Sequence, residues 1–204
     1  MTDIYMPALQ LWQKGNRREA IAIVTKFVEE GDVYAHSILA RFYEIEGRDS
    51  EIRPLLEVAA NAGEPKAQDH LGRICFDSGQ LEEAKIWWQA AADGGLDLAF
   101  TRLGQLELDE GNYETALALF KKAASNGNEH YTFLLSVALA KAERFDEASD
   151  VLLQAAEAGS EHAMFYLGEM SADSENFEEA KSWYIRAAEL GHEEAKSKLA
   201  KFES

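Results

Sequence analysis

GEPKAQDHLGRICFDSGQLEEAKIWWQAAA, residues 63–92, contains two segments in which small and apolar residues recur at helical spacing. Ala67 and Leu71 share one face of the first segment, and Ala84 and Trp88 share one face of the second. The short sequence DSGQ separates the two segments. We therefore predict two antiparallel helices, which we call helix A and helix B of a repeat.

The pattern returns along the chain with a period of 32 residues. A glycine ends each repeat, a leucine stands eight residues after it, and a small residue follows the leucine. The glycines are Gly31, Gly63, Gly95, Gly127, Gly159 and Gly191, and the leucines are Leu39, Leu71, Leu103, Leu135, Leu167 and Leu199. A fixed period of this length indicates stacked copies of one supersecondary structure. The small residue is often glycine, which costs about 1 kcal/mol inside a helix, so we expect a close helix approach there.

Local signals also predict where the helices start. Acidic residues or proline follow each repeat glycine, which suits the positive end of a helix dipole. Pro54 falls inside helix B of the second repeat. We predict an N-cap at Asp49 or Ser50, which places this proline in the first helical turn.

Composition restricts the classes of partner. The chain of 204 residues carries a net charge of −17, a field that repels nucleic acid and anionic lipid. The N-terminal sequence MTDIYMPALQLW has no signal-peptide pattern, and no run of 18 apolar residues occurs, so we expect a cytoplasmic protein unless a leader has been removed. The single cysteine, Cys75, fits a small buried packing residue.

Motifs for catalysis or cofactor binding are absent from the sequence. It contains no P-loop, dinucleotide-binding glycine motif, G-x-S-x-G or H-E-x-x-H. His130 and His162 each stand three residues after a repeat glycine. Packed helix axes lie about 8–10 Å apart, so equivalent side chains of neighbouring repeats would not converge on one metal ion. We therefore expect no catalytic residues, no cofactor and no metal.

The segments between repeats resemble a known family. AAEAGSEHAMFYLG, residues 155–168, and AADGGLDLAFTRLG, residues 91–104, resemble the Sel-one-like (Sel1-like) repeat, a branch of the tetratricopeptide superfamily. The resemblance recurs from Ala59 to Ala200. The loops inside the repeats, DSGQL, DEGNY and KAERF, are shorter than in that family and are similar to those of ordinary tetratricopeptide repeats.

The resemblance implies an all-α, right-handed α-solenoid of stacked antiparallel helix pairs. We predict one domain over residues 1–204, with about six 32-residue repeats. Residues 1–31 form a degenerate N-terminal repeat, residues 32–191 form five regular repeats, and residues 192–204 form a C-terminal capping helix. In the first repeat Pro7 replaces the leucine, and Tyr5, Leu9 and Trp12 crowd the helix, so we expect a cap, with a dimer contact as the alternative.

Proteins of this kind are generally scaffolds that bind other proteins, with the A helices lining a concave groove. Positions six, ten and thirteen residues after each glycine would then face the groove. The candidate partner-binding residues are Arg41, Arg73, Phe76, Gln105, Leu108, Phe133, Val137 and Phe165. A groove with a basic end and apolar residues would suit a peptide or partner helix that carries a carboxylate.

Other interpretations of these residues and of the function stay open. Phe133 and Phe165 could pack against a neighbouring A helix, and Arg41 and Arg73 could pair with carboxylates of the chain itself. We expect a non-enzymatic scaffold that binds a protein or peptide as a monomer or weak homodimer, without nucleic acid or membrane. The alternatives are a self-associating structural protein, a groove-based enzyme or a helical-repeat nucleic-acid binder.

Overall fold

The computed structural model describes residues 3–125 and 129–202, with side chains described for residues 4–125 and 131–200. Within these residues the protein contains thirteen α-helices, one short 3₁₀ helix at Asp3–Tyr5, and no β-strand. The helices are α1 (Met6–Gln13), α2 (Arg17–Glu29), α3 (Val33–Glu46), α4 (Asp49–Asn61), α5 (Pro65–Asp77), α6 (Leu81–Asp93), α7 (Asp97–Asp109), α8 (Tyr113–Ala124), α9 (Glu129–Lys141), α10 (Phe145–Glu157), α11 (Glu161–Asp173), α12 (Phe177–Glu189) and α13 (Glu193–Phe202).

Helices α1 to α12 follow one another as six pairs, each with an A helix and then a B helix, and α13 is an additional A helix. Two or three residues join the helices of a pair, which is too short for anything but a reversal of direction. Helices α1 to α6 pack on their neighbours along the chain, as α5 does on α4 and α6, and helices α8 to α13 do the same. The predicted all-α fold of stacked antiparallel helix pairs is confirmed.

The turns repeat twice as often as the sequence period. Gly15, Gly31, Gly47 and Gly63 all have positive φ and stand 16 residues apart. The series continues at Gly79, Gly95, Gly111, Glu143, Gly159, Glu175 and Gly191, and Gly127 lies outside the described residues. Thus the turn between A and B has the same geometry as the turn between repeats.

The turn after α5 shows how these helices end. The Gly79 N–H donates to the carbonyl of Phe76 at 2.9 Å, and the Gln80 N–H donates to the carbonyl of Cys75 at 2.8 Å. These two bonds define a Schellman motif, whose left-handed residue is usually glycine. Glu143 holds the same position after α9, with its N–H bonded to the carbonyl of Ala140 at 3.0 Å.

The predicted close approach at the recurrent glycines is confirmed, and an aromatic ring makes it. A Cβ at Gly72 would lie 2.4 Å from the Trp88 ring, and a Cβ at Gly168 would lie 2.6 Å from the Tyr184 ring. Each ring belongs to helix B of the same repeat. The glycine therefore makes room for a large residue that fixes helix B against helix A.

The predicted position of Pro54 is wrong. Arg48 is the N-cap of α4, so Pro54 is the sixth residue of the helix rather than part of its first turn. Proline has no N–H to donate to the carbonyl four residues earlier, at Ser50. Its ring is exposed, on the side of α4 that does not pack against the core.

The chain divides into two compact units, which are described separately. The N-terminal unit is Met1–Ala99 and the C-terminal unit is Phe100–Ser204. In the N-terminal unit, one core cluster surrounds Val24 and Leu39 and another surrounds Leu56 and Leu71. The prediction of one continuous domain over residues 1–204 stays a prediction. None of the described helices is long and apolar enough to cross a membrane.

Candidate functional site

Five of the predicted groove positions of the N-terminal unit lie around one open depression on its A helices. This α3–α5 depression has a volume of about 570 Å³. The predicted positions that line it are Ser37, Arg41, Glu44, Asp69 and Arg73. The structure adds Tyr34, Ile38, Glu64, Lys66, His70, Leu96 and Leu98. The lining therefore mixes cations, carboxylates and apolar side chains.

Arg73 joins α3 to α5 through a small polar network. Its Nη2 donates to the Glu44 carboxylate and, at 2.7 Å, to His70 Nε2. Because an arginine can only donate, His70 Nε2 must be the acceptor, and the imidazole is neutral. Burial lowers the pKa of His70, whose side chain is 16% exposed, and so favours the same neutral form.

The Glu44 carboxyl is held in its charged form. Burial alone would raise its pKa, but the hydrogen bond from Arg73 and the positive charges of Arg73 and Arg41 hold the pKa below its ordinary value. Glu44 therefore stays ionised and His70 stays neutral near pH 7. Such a network positions Arg73 and supplies no group poised for proton transfer in that range.

Arg41 and Arg73 each stand ten residues after a repeat glycine, but their side chains have different partners. The side chain of Arg41 is exposed, and it forms no ion pair or hydrogen bond with any residue that the structure describes. Its charge still acts on Glu44 and helps to lower the pKa of that carboxyl. Arg73, by contrast, is paired with a carboxylate of its own chain. Of the two interpretations, pairing within the chain therefore applies to Arg73. Binding of a partner stays open for Arg41, the one of these two arginines whose guanidinium is unpaired.

The floor near Arg41 is built around the start of α5. Glu64 is the N-cap of α5, and its carboxylate accepts from the backbone N–H groups of Lys66 and Ala67. Ser37 Oγ donates to Glu64 Oε2 at 3.0 Å, which ties α3 to the same cap. The Glu64 carboxylate is therefore occupied by the first N–H groups of α5, where its negative charge interacts favourably with the positive end of the helix dipole.

A second cavity lies between α1 and α3, and we call it the α1–α3 pocket. Its volume is about 410 Å³. It is lined by Tyr5, Leu9, Trp12, Gln13, Tyr34, Ile38, Arg41, Phe42 and Ile45. Tyr34, Ile38 and Arg41 also line the α3–α5 depression, so the two cavities meet at these three residues.

The walls of the α1–α3 pocket are fixed by aromatic contacts. Trp12 stacks on Phe42 with ring centroids 3.9 Å apart. Tyr5 packs against Tyr34 and is itself buried, with a hydrogen bond to Asp32 at the N-cap of α3. The first repeat thus supplies one wall of a cavity, which the sequence interpretation of a simple cap did not include.

Phe76 lies outside both cavities. Its side chain is 42% exposed, and its ring packs against Trp88 with centroids 5.6 Å apart. It remains available on the surface of α5.

In the C-terminal unit the predicted positions have different environments. Gln105 is exposed, and its Nε2 donates to Asp109 at 2.8 Å. Leu108 is only 6% exposed and belongs to a core cluster with Leu117 and Phe120. Leu108 therefore contributes to the core and is not accessible to a partner, because its side chain points between the helices.

The aromatic candidates of this unit also pack within it. Phe133 stacks on Tyr166 of α11 with ring centroids 4.0 Å apart, and Val137 is partly exposed. Phe165 is 8% exposed and stacks on His192 with centroids 4.5 Å apart. Phe133 is therefore occupied by packing on the next A helix and Phe165 by packing on Tyr184 and His192 of its own unit, whereas Val137 and Gln105 remain on the surface.

Glu169, in the column of Arg41 and Arg73, ties the last three helices together. It accepts a hydrogen bond from the Tyr184 hydroxyl of α12 and one from Lys198 Nζ of α13 at 2.7 Å. Tyr184 is buried, and burial together with this bond raises its pKa. The position ten residues after the repeat glycine is thus an exposed cation, Arg41, in an early repeat and a carboxylate with a structural role, Glu169, in a late one.

The histidines, the acidic residues and Cys75 are the other side chains that could act in metal binding or catalysis. The residues that the structure describes contain no cluster of three or more histidine, cysteine, aspartate or glutamate side chains arranged to hold a metal ion. His162 lies beside His192, with ring centroids 5.0 Å apart, while the side chain of His130 lies outside the described residues. Burial raises the pKa of the Cys75 thiol, which opposes a nucleophilic role.

The sequence interpretation missed Tyr34, Ile38 and Ile45, which lie three, seven and fourteen residues after Gly31. The signal was present, because at 3.6 residues per turn these positions continue the stripe formed by positions six, ten and thirteen. Leu9 and Trp12 had no such signal, since the degenerate first repeat has no preceding glycine from which to count.

Comparison with known proteins identifies the repeats. The Sel1 repeat model matches residues 65–96 and 161–192, and the tetratricopeptide repeat model matches residues 107–165. No curated protein is significantly similar to the chain in sequence.

Several solved structures have the same fold. A Sel1 repeat protein from Oxalobacter formigenes is 21% identical, with a TM-score of 0.73 over 97% of this chain and 89% of that one. PilF of Pseudomonas aeruginosa is 17% identical, with a TM-score of 0.68 over 96% of both chains. YrrB, described as a tetratricopeptide protein with an unusual peptide-binding site, is 20% identical, with a TM-score of 0.61 over 87% of this chain and 97% of that one.

Proposed function

Because the chain belongs to the Sel1-repeat branch of the tetratricopeptide superfamily, whose members generally mediate protein interactions, we propose that it is a non-enzymatic scaffold for a protein or peptide partner. The binding surface is the α3–α5 depression on the A helices of the N-terminal unit. The partner segment is extended and carries a carboxylate. No proton transfer or bond cleavage is involved, and binding rests on complementary shape and charge.

The single observation that carries this proposal is the unpaired guanidinium of Arg41 at the edge of a cavity of about 570 Å³. The charge of Arg41 helps to lower the pKa of the nearby Glu44 carboxyl, but the two side chains form no ion pair or hydrogen bond. An exposed arginine that the described residues leave unpaired can give a charge-assisted bidentate bond to an incoming carboxylate. Arg73, held by Glu44 and His70, presents its remaining donors beside it.

The relatives support the proposal in a general way. YrrB is described as having a peptide-binding site, and its fold is shared over most of both chains. The acidic charge of the present chain disfavours nucleic acid as a partner at long range. A protein or peptide is therefore the partner class that we adopt.

The experiment is capture of partners by the tagged chain, compared between Arg41→Glu and Arg18→Glu. Arg18 is exposed on α2 and does not line the depression, so the control makes the same charge change elsewhere. We expect Arg41→Glu to lose a partner that both the original chain and Arg18→Glu retain, with equal melting temperatures for all three. Equal capture by the two variants would contradict the proposal.

Phe165→Ala is not a suitable probe of binding in the same experiment. Phe165 is 8% exposed and contacts Tyr166, Tyr184 and His192. Removing a buried phenylalanine costs about 3–5 kcal/mol of stability. Lost capture in that variant would report unfolding of the C-terminal unit rather than loss of a contact.

A further inference from the structure

The α1–α3 pocket has the features of a site for one large side chain of the partner. Its floor is formed by the buried rings of Tyr5 and Phe42, and its rim includes Ile45, which is 50% exposed, and Tyr34, which is 39% exposed. Its volume of about 410 Å³ lies within the range of about 300–1,000 Å³ that is usual for ligand sites. The stacked pair Trp12 and Phe42 holds the wall in place before any ligand arrives.

Arg41 stands where the two cavities meet, because it lines both. A segment that fills the α1–α3 pocket must therefore pass this guanidinium on its way to the α3–α5 depression. In an extended chain, side chains on the same face are about 6–7 Å apart, so a carboxylate within two residues of the apolar side chain can reach Arg41. The apolar pocket and the unpaired cation thus select one kind of segment.

We infer that the N-terminal unit recognises a peptide by two of its residues. A tryptophan, phenylalanine or leucine side chain enters the α1–α3 pocket, and an aspartate or glutamate within the next two residues pairs with Arg41. This inference rests on the proposed function and names its partner as an extended peptide whose apolar anchor is followed by one or two carboxylates. These pair with Arg41 at short range, although the net charge of −17 repels anions at long range. It assigns to the degenerate first repeat a role in specificity. A peptide of the same charge without the anchor binds only through the α3–α5 depression.

The test uses fluorescein-labelled synthetic peptides and the full chain. The probe is Gly-Ser-Trp-Asp-Asp-Ser-Gly, and its variants carry Ala in place of Trp or Asn in place of both Asp. Fluorescence anisotropy gives the affinity for the original chain, for Ile45→Glu and Arg41→Gln, and for the control Ile86→Glu. Ile86 is 67% exposed on α6 and lines neither cavity, so the control introduces the same charge on an exposed isoleucine.

We expect the original chain and Ile86→Glu to bind the Trp peptide about tenfold or more tightly than the Ala peptide. Ile45→Glu should lose that preference while its melting temperature stays that of Ile86→Glu. Arg41→Gln should weaken the Asp peptide about fivefold or more and leave the Asn peptide unchanged.

Equal affinities for the Trp and Ala peptides, or an unchanged preference in Ile45→Glu, would overturn the inference. If none of these peptides binds while Arg41-dependent capture of a partner persists, the inference fails and the proposed function stands. If that capture is also absent, both fail. Self-association of the original chain that Ile45→Glu abolishes in sedimentation would identify a second copy as the occupant and would likewise overturn the inference.

Discussion

The indole ring of Trp88 occupies the space that a side chain at Gly72 would need. A Cβ built on Gly72 lies 2.4 Å from Trp88 Cδ1, well inside van der Waals contact. The ring has little freedom to retreat, because Trp88 Nε1 donates to the carbonyl of Asp69 on the same A helix, at 3.2 Å. Trp88 of α6 therefore holds this helix against α5, because its ring packs on Gly72 and its Nε1 bonds to the Asp69 carbonyl.

Gly72→Ala should destabilise the N-terminal unit. Overpacking costs about 1–3 kcal/mol, and a Cβ 2.4 Å from the ring places this site in the upper part of that range. The better helix propensity of alanine returns about 1 kcal/mol, so we expect a net loss of about 1–2 kcal/mol. Gly104→Ala is the matched control in the C-terminal unit, because its Cβ would lie 3.1 Å from the Phe120 ring. Its change in unfolding free energy should be smaller. Denaturant unfolding measures both variants, and a Gly72→Ala chain as stable as the original would contradict the prediction.

Glu143→Gly should stabilise the chain. Glu143 has a φ of 59° at the end of α9, a backbone conformation that costs a residue with a Cβ about 1–2 kcal/mol. Part of this gain is lost because glycine has more freedom in the unfolded chain, so we expect about 0.5–1 kcal/mol. Gly111→Glu makes the opposite change at the equivalent position after α7 and should lower the unfolding free energy. A loss of stability in Glu143→Gly would show that the carboxylate itself stabilises the turn.

The Glu44–Arg73–His70 network should make stability depend on pH. The folded state lowers the pKa of His70 below its unfolded value, so the stabilisation is complete above the unfolded pKa and is lost as the pH falls through the folded pKa. His70→Gln keeps a neutral acceptor for Arg73 and removes the titration.

The measurement for His70 is the unfolding free energy between about pH 7.5 and pH 5, around the ordinary histidine pKa. The original chain should lose more stability over this range than His70→Gln. Every other histidine is common to both chains, so the difference reports His70 alone. Parallel pH profiles would show that protonation does not disturb this network.

Deletion of residues 193–204 should lower the melting temperature by about 5 °C or more, because it uncovers α12. Ala195 is fully buried and Leu199 packs on the same core cluster. Lys198→Ala removes the bond to Glu169, whereas Lys196→Ala removes only an exposed pair with Glu193. Since the Lys198 pair is itself partly exposed, we expect a loss below about 1 kcal/mol for Lys198→Ala and none for Lys196→Ala. An unchanged melting temperature after the deletion would rule out α13 as a cap.

The sequence predicted the fold well because the signals that specify it are local and repeated. The leucine eight residues after each glycine is a core position in both units, as at Leu71 and Leu167. The half period was missed because Glu143 and Glu175 occupy two of the left-handed positions, where sequence rules expect glycine. Those two turns are specified by their Schellman hydrogen bonds and the packing around them rather than by residue type.

The candidate site was predicted less completely, because side-chain pairing depends on neighbours from other repeats. Arg41 and Arg73 are equivalent in the sequence, yet only Arg73 pairs with a carboxylate, from residue 44 of the preceding A helix. For Phe165 the sequence left a groove position and a packed position both open, and His192, which follows α12, covers it. The α1–α3 pocket also depends on a repeat that has lost its periodic residues, so counting from the glycines finds Tyr34, Ile38 and Ile45 but not Leu9 and Trp12.

The 16-residue spacing of the turns has a consequence for how such a chain can change length. Removing one helix with its turn keeps every later turn intact and leaves the helical register unbroken. However, each later A helix then takes the place of a B helix, so its leucine and small residue no longer fall in step with those of the earlier repeats. Only the gain or loss of two helices together keeps these residues in step, which agrees with their recurrence at 32 residues although the backbone recurs at 16.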